Sequence, residues 1–185
     1  MISNLRFELS FKNISQLETK LNFCTNNKIN NVNIPCKGLI KKDFFNSTIK
    51  YISKNYQELN LTYHYSLYHQ YSQNKEKSYQ DFLDFLKNSH SNMNYEVLLV
   101  SGSNKKKNFD VISVLSKLKE EKRLNIKFGA AYNPYLKKYF KNTSERERLN
   151  MKLSSGLINS IWFQYGTDIK ELQNEMNYLK KVAKY

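Results

Sequence analysis

The sequence has few of the residues that mark secreted, fibrous or disordered chains. It contains 2 cysteines, 2 prolines and 5 glycines in 185 residues. Two cysteines do not make the disulfide framework of a small secreted domain, so we interpret Cys24 and Cys36 as reduced, buried thiols. The low proline and glycine content, together with 40% hydrophobic residues, excludes a disordered or collagen-like chain and favours a folded globular domain.

Long hydrophobic runs are also absent. The longest stretch of consecutive apolar residues is Val97 to Val100, far shorter than the ~20 residues that cross a bilayer. The N-terminus enters an alternating apolar pattern almost at once, without the charged and hydrophobic regions of a signal peptide. We therefore expect a cytoplasmic protein that does not associate with membranes.

Acidic residues are scarce beside basic ones. With 16 Asp and Glu against 30 Lys and Arg, the formal net charge is +14, and such a surface attracts nucleic acids, anionic membranes and anionic small molecules alike. The basic residues are spread along the chain in short groups such as Lys105-Lys106-Lys107. Lysine far outnumbers arginine in this sequence, whereas proteins that read bases favour arginine. We therefore interpret the charge as a solvated surface and do not expect nucleic acid as a partner.

Six segments rich in β-branched and aromatic residues alternate with six longer segments whose apolar residues are spaced three and four apart. The first pattern predicts strands and the second predicts helices. Capping signals support two helix starts, at Ser15 with Glu18 and at Thr167-Asp168. The predicted strands are 5–11, 31–35, 59–65, 95–100, 126–132 and 160–164, and the predicted helices are 15–25, 42–55, 78–88, 108–121, 144–155 and 168–181.

Strict alternation of strand and helix predicts an α/β fold with a parallel sheet, either an open doubly wound sheet or a (β/α) barrel. A nucleotide-binding open sheet would carry a glycine-rich turn after its first strand, but residues 7–13 contain no glycine. We therefore expect a TIM-type (β/α) barrel. Because six of its eight units are present, residues 1–185 are predicted to form a single barrel domain that is incomplete at the C-terminus.

Polar residues lie at or just past the ends of the predicted strands. Active sites of (β/α) barrels occupy the carboxyl ends of the strands. Taken singly, each residue has a structural explanation, such as a salt bridge for Glu8 or a hydrogen-bonded core position for His64. Their shared location predicts a functional site. The residues are Glu8, His64, Ser101, Ser103, Asn104, Tyr132, Asn133, Gln164, Tyr165 and Asp168.

Several segments resemble the methylenetetrahydrofolate reductase family. That family has a strand ending in Ala-Tyr-x-Pro, a helix ending in Lys-x-x-x-Gly, and then a strand with a Gln followed shortly by Asp. The matching residues here are Ala131-Tyr132-Asn133-Pro134, Lys152 with Gly156, and Gln164 with Asp168. Phe7-Glu8 and Tyr63-His64 are similar to the first and third strands of the family, and Ser101-Gly102 falls at its Gly-Asp turn. The specific part of the resemblance is 128–168.

The resemblance implies a TIM barrel that binds FAD non-covalently and reduces methylenetetrahydrofolate to methyltetrahydrofolate, with NADH or NADPH as the hydride donor. It implies no metal. Carried over by position, Glu8 is the general acid that protonates the folate and opens its five-membered ring, and Gln164 binds the folate. Such an acid must stay protonated near neutral pH, and the flanking Phe7 and Leu9 are compatible with its desolvation. The implied FAD-binding residues are His64, Ser101, Gly102, Ser103, Ala131, Tyr132, Glu145, Arg148 and Lys152.

Three features depart from the family. The Gly-Asp turn reads Gly102-Ser103-Asn104, so an aspartate is missing and the rate or substrate is expected to differ. The first strand continues as Ser10-Phe11-Lys12 in place of a proline pair. The two absent barrel units leave two strand edges unpaired, which predicts completion by a second copy or by a partner chain. The alternative is a non-catalytic binding or regulatory subunit related to the family.

Overall fold

The computed structural model describes residues 5–36, 42–89, 95–101, 109–121, 126–136 and 143–182. Six strands alternate with six helices in these residues, as the sequence predicts. All the strands are parallel and lie in one sheet in the order of the sequence. The elements are β1 (Arg6–Glu8), α1 (Ile14–Asn26), β2 (Asn31–Ile34), α2 (Lys42–Asn55), β3 (Asn60–Ser66), α3 (Lys75–Ser89), β4 (Tyr95–Val100), α4 (Val111–Glu120), β5 (Lys127–Tyr132), α5 (Glu145–Leu153), β6 (Ile158–Phe163) and α6 (Ile169–Val182).

The sheet is curled into a half-barrel. In a flat sheet with about 4.8 Å between neighbouring strands, the first and sixth strands would lie roughly 24 Å apart. Here the guanidinium of Arg6 on β1 lies 5.5 Å from the centre of the Trp162 ring on β6. The outer strands therefore face each other across a concave side. The consecutive strand order excludes the doubly wound alternative, in which the order reverses within the sheet.

The helices cover the convex side of the sheet, where most of the apolar core lies. Successive side chains of a strand point to opposite faces, so alternate residues of β3 reach this core. Tyr65 packs on Phe82 and Phe85 of α3, with ring centres 4.8 and 4.7 Å apart. Phe85 in turn stacks on Phe45 of α2 at 5.8 Å. Because the core uses one face of the strands, the other face is available for polar side chains.

Five of the six helix starts differ from the prediction, by one residue at α1, α5 and α6 and by three residues at α3 and α4. The α1 helix begins at Ile14 because the side chain of Asn13 accepts a hydrogen bond from the Gln16 amide at 2.9 Å. The predicted capping pair, Ser15 and Glu18, lies inside the helix. The α3 helix begins at Lys75, since Asn74 Oδ1 accepts a hydrogen bond from the amide of Lys77 at 2.8 Å. In both cases an asparagine, which is as good a cap as serine, lies nearer the turn.

The outer strands also depart from their predicted bounds. The β1 strand is shorter than predicted and ends at Glu8, although the amide of Leu9 still donates to the carbonyl of Asn33 at 3.0 Å. The β6 strand begins two residues earlier than predicted, at Ile158. Among the described residues, no strand pairs with the outer edge of either one. None of the described helices has the length and apolar character needed to cross a bilayer.

Candidate functional site

Polar side chains line the concave side of the half-barrel. Barrel interiors are normally packed with branched apolar side chains, so a polar interior requires a partner or a ligand. Ion pairs, hydrogen bonds and ring contacts connect these side chains across four strands. The residues are Arg6 and Glu8 on β1, Thr62 and His64 on β3, Glu96 on β4, and Ser160 and Trp162 on β6.

Glu8 and His64, predicted at the ends of β1 and β3, face each other. His64 Nδ1 lies 3.9 Å from Glu8 Oε2, an ion-pair separation that is too long for a hydrogen bond. The His64 side chain is 16% exposed and that of Glu8 is 46% exposed. The expected desolvation of Glu8 by Phe7 and Leu9 is therefore wrong, because alternation directs those neighbours to the other face of the sheet.

Trp162 joins this pair to the opposite strands. Its ring centre lies 6.1 Å from that of His64, with the two planes at 72°. The indole Nε1 donates to Ser160 Oγ at 2.8 Å, and the Ser160 hydroxyl donates to Glu96 Oε1. The sequence patterns described above gave Trp162 no role in the site and so missed this network. Gly129 was the sequence feature that could have indicated it, since a glycine inside a strand often marks a place where another group approaches the backbone closely.

Arg6 is a second residue that the sequence reasoning missed. Its Nη1 donates to Thr62 Oγ1 at 3.0 Å and to the carbonyl of Asn60 at 3.3 Å. Desolvation lowers the pKa of Arg6, and the nearby Glu96 carboxylate opposes this change. The Arg6 side chain therefore bridges β1 and β3 beneath the Glu8 and His64 pair.

A cleft of about 350 Å³ lies at the carboxyl ends of β4, β5 and β6. It brings together most of the cofactor-binding residues expected from the sequence, and the expected folate-binding residue borders the same space. Of the other expected cofactor-binding residues, His64 lies on the concave side, whereas Gly102 and Ser103 fall outside the described residues. The expected residues that line the cleft are Ser101, Ala131, Tyr132, Glu145, Arg148, Lys152 and Gln164.

The α5 helix supplies the charged wall of the cleft. It begins with a capping box between Ser144 and Glu147, and its positions i, i+3 and i+7 share one face. On that face Lys152 is buried, and its Nζ donates to the carbonyl of Ala131 at 2.8 Å. Burial lowers the pKa of Lys152, and Glu145, whose Oε1 lies 3.7 Å from Nζ, opposes this change.

Arg148 lies between two carboxylates on this wall. Its Nη1 is 3.7 Å from Asp110 Oδ2, and its Nε is 3.7 Å from Glu145 Oε2. These ion pairs are loose, because both distances exceed that of a normal hydrogen bond. The sequence reasoning missed Asp110, which also caps α4 by accepting a hydrogen bond from the Ser113 amide at 3.0 Å. The sequence feature that could have indicated Asp110 is its position as a good capping residue directly before an apolar helix.

Tyr132 and Gln164 meet through their main chains. The Gln164 amide donates to the Tyr132 carbonyl at 2.7 Å, which extends the β5–β6 pairing past Phe163. Two residues before Gln164, Trp162 is on the concave side, so alternation places Gln164 on that side too. The Tyr132 hydroxyl instead donates to buried Glu175 in the helix layer, and burial raises the pKa of Tyr132.

The cysteines take no part in this site. Cys24 and Cys36 are buried thiols, as the sequence predicts. Cys36 Sγ accepts a hydrogen bond from Gln70 Nε2 at 3.1 Å, and burial raises the pKa of the Cys36 thiol. Within the described ranges, His, Cys, Asp and Glu side chains form no group of three or more that could hold a metal ion.

No protein-family model matches the chain, and no curated protein matches it. Similarity to known proteins therefore assigns no function, and the chemistry of the site residues has to carry the assignment.

Proposed function

We propose that the protein is a flavin-dependent reductase of the methylenetetrahydrofolate reductase type, built on six of the eight units of a TIM-type barrel. The observation that carries this proposal is that predicted site residues from different strands lie on the same side of the sheet. Glu8 on β1 and His64 on β3 face each other on the concave side. Gln164, just past the end of β6, is placed on the same side by alternation and lines the cleft at the carboxyl ends of β4, β5 and β6. These are the residues for which the family resemblance implies roles in proton transfer, flavin contact and folate binding.

The donor set of the cleft fits FAD. Ser101 and Gln164 offer hydrogen bonds to the polar edge of a flavin ring. Arg148 and Lys152, which also pair with Glu145, offer positive charge to its pyrophosphate. Leu99 and other apolar side chains supply a surface for the ring. A volume of about 350 Å³ is at the lower end of ligand pockets, which span roughly 300–1,000 Å³.

The residues of the chain place and protonate the folate. A bound flavin supplies the hydride chemistry of the reaction, with NADH or NADPH as the source. The Glu8 carboxyl group delivers a proton to a ring nitrogen of the folate, which opens the five-membered ring. His64, 3.9 Å away, orients that carboxyl group. The amide of Gln164 carries both donors and an acceptor for the folate ring, and the +14 charge favours a polyanionic substrate.

The Glu8→Gln variant tests this assignment. We expect the variant to bind FAD and to be reduced by NADH or NADPH as fast as the parent protein, because neither step needs the Glu8 proton. Turnover of methylenetetrahydrofolate should fall by about 10²–10⁴-fold. The measurements are flavin absorbance on titration with FAD, its bleaching by the nicotinamide, and steady-state folate reduction.

Glu58→Gln is the matched control, since Glu58 is exposed in a turn and its variant should retain full turnover. Protein that takes up no added FAD would contradict the reductase function. Unchanged turnover in the Glu8 variant would remove Glu8 from its role as the acid.

A second candidate is a non-catalytic subunit that binds another polypeptide. The observation in its favour is that exposed large apolar side chains cluster at the two open edges of the half-barrel, and such patches mark interaction surfaces. Among the described side chains of this kind, only Met151 lies elsewhere. Colourless protein that takes up no FAD but forms a stable complex would favour this candidate. The edge residues are Leu5, Phe7 and Phe23 beside β1, and Phe163, Tyr165, Ile169, Met176 and Val182 beside β6.

A further inference from the structure

We propose that Trp162 is a positioning residue of this site: its indole, hydrogen-bonded through Ser160 to Glu96, holds the His64 imidazole next to the Glu8 carboxyl group. This inference rests on the proposed reductase function, because the proton that is positioned is the one that Glu8 delivers. It adds a residue for which the family resemblance implies no role.

The hydrogen bonds of Ser160 fix the orientation of the indole. A serine hydroxyl has one proton to donate, and here it goes to Glu96 Oε1. Its lone pairs are left to accept the Trp162 Nε1 proton at 2.8 Å, and an indole can only donate. The hydrogen bonds therefore all run one way, from the indole to the hydroxyl and from the hydroxyl to the carboxylate. The Trp162 ring is left with a single hydrogen-bonded orientation.

Gly129 provides the space for this arrangement. It pairs with Ser160 in the β5–β6 ladder. A Cβ atom added at Gly129 would lie 2.7 Å from Trp162 Nε1 and 2.9 Å from Ser160 Oγ, closer than a carbon atom tolerates. The glycine is thus required by the close approach of the indole, and an alanine there would push the ring away without removing it.

The indole contacts the same imidazole that faces Glu8. The rings of His64 and Trp162 meet nearly edge to face, with centres 6.1 Å apart. Arg6 from β1 covers the indole at 5.5 Å, a distance at which a cation and an aromatic ring attract. The charged groups around the pair are Glu8 and Arg6 from β1 and Glu96 from β4, and β2 contributes the neutral Asn33.

The fluorescence of Trp162 tests the contact directly, because it is the only tryptophan in the chain. Protonated imidazole quenches a neighbouring indole, and histidine titrates between about pH 5 and 8. We expect the emission of the whole chain, without flavin or folate, to fall as the pH is lowered through this range. His64→Gln should abolish the step, whereas the control His69→Gln should retain it.

Two further variants connect the contact to turnover. Gly129→Ala displaces the indole, and Ser160→Ala removes its acceptor with little change in volume. Each should lower kcat for folate reduction by roughly ten- to a hundredfold, because a misplacement of about 1 Å has effects of this size. Reduction of the flavin by the nicotinamide should fall less than folate reduction does, because that step does not need the Glu8 proton. Circular dichroism checks that each variant folds. If Gly129→Ala does not fold, the kcat of Ser160→Ala alone tests whether the Trp162 contact affects turnover.

Emission that does not change between pH 5 and 8, or a step that survives His64→Gln, would overturn the positioning role. So would an unchanged kcat in folded Ser160→Ala. A quenching step that His64→Gln abolishes, in protein that takes up no FAD, would support the contact and contradict the reductase function. The failure of one proposal is therefore distinguishable from the failure of the other.

Discussion

Glu175 is a buried carboxylate that ties the end of β5 to α5 and α6. Arg146 donates to it from Nε at 3.0 Å and from Nη2 at 2.6 Å, and the Tyr132 hydroxyl donates to Oε2. Burial alone would raise the pKa of Glu175, but the hydrogen bonds from Arg146 and Tyr132 outweigh it and lower the pKa. The ionised form is therefore the one that stabilises the fold here.

Replacing Glu175 with glutamine should lower the free energy of unfolding by about 1–3 kcal/mol at neutral pH. The partly exposed Arg146 places the effect in the lower part of that range, because solvent screens its charge. Since the folded-state pKa is lowered, the contribution of Glu175 is full above about pH 4.5 and is lost as the pH falls through the lowered pKa. The variant should lack this acid-dependent loss.

Urea denaturation at neutral and acidic pH measures both effects. Glu120→Gln is the control, since Glu120 is exposed on α4. Equal stabilities for the two variants at neutral pH would show that the Glu175 cluster contributes nothing to the fold.

The residues that the sequence did not reveal are those that meet across the concave side. Periodicity puts Trp162 on one face of its strand and Phe163 on the other, as found: Trp162 contacts His64 on the concave side, and Phe163 packs on Tyr132 in the helix layer. Periodicity does not say that Arg6 on β1 reaches Trp162 on β6. That contact depends on how far the sheet curls, which is a property of all six strands together.

At the scale of elements, most of the fold could be predicted from the sequence. Strand and helix alternation gives the order of the elements because the two periods differ, and interior strands such as β4 match their predicted bounds. The ends were harder to predict. The α1 helix has both Asn13 and Ser15 near its start, and only the path of the chain decides which one caps it. The edge strand β1 has a single neighbour, so fewer hydrogen bonds define its length.

The cap of α5 links the stability of an element to the site. Ser144 Oγ accepts a hydrogen bond from the Glu147 amide at 3.1 Å, and the Glu147 carboxylate accepts one from the Ser144 amide at 2.6 Å. The helix that begins there carries Glu145, Arg148 and Lys152 into the cleft. Loosening its first turn should therefore disturb the first two residues more than Lys152, which the Ala131 carbonyl also holds.

Ser144→Ala should lower the free energy of unfolding by about 1 kcal/mol, the usual effect of removing a capping side chain. Ser144→Asn should restore it, because asparagine caps as well as serine does. Chemical denaturation of the three proteins measures the difference. An asparagine variant as unstable as the alanine variant would show that the cap is not the source of the effect.

At the scale of the whole molecule, the two open edges of the half-barrel dominate. A groove of about 480 Å³ beside β6 and α6 is lined by Ile161, Phe163, Met176 and Leu179, and Ile169 nearby is 69% exposed. The outer edge of β6 has no strand partner among the described residues. Unpaired parallel edges combined with apolar surface favour association with another polypeptide.

The double substitution Ile169→Lys with Met176→Lys should weaken self-association by at least about tenfold. Burying one such side chain contributes roughly 1.5–3 kcal/mol, and 1.4 kcal/mol is a tenfold change in affinity. Sedimentation velocity over a range of concentrations measures the effect. Met151→Lys is the control, because Met151 is exposed on α5, away from both edges. If the parent protein stays monomeric at every concentration, or if the control weakens association equally, then the β6 edge is not the surface on which copies meet.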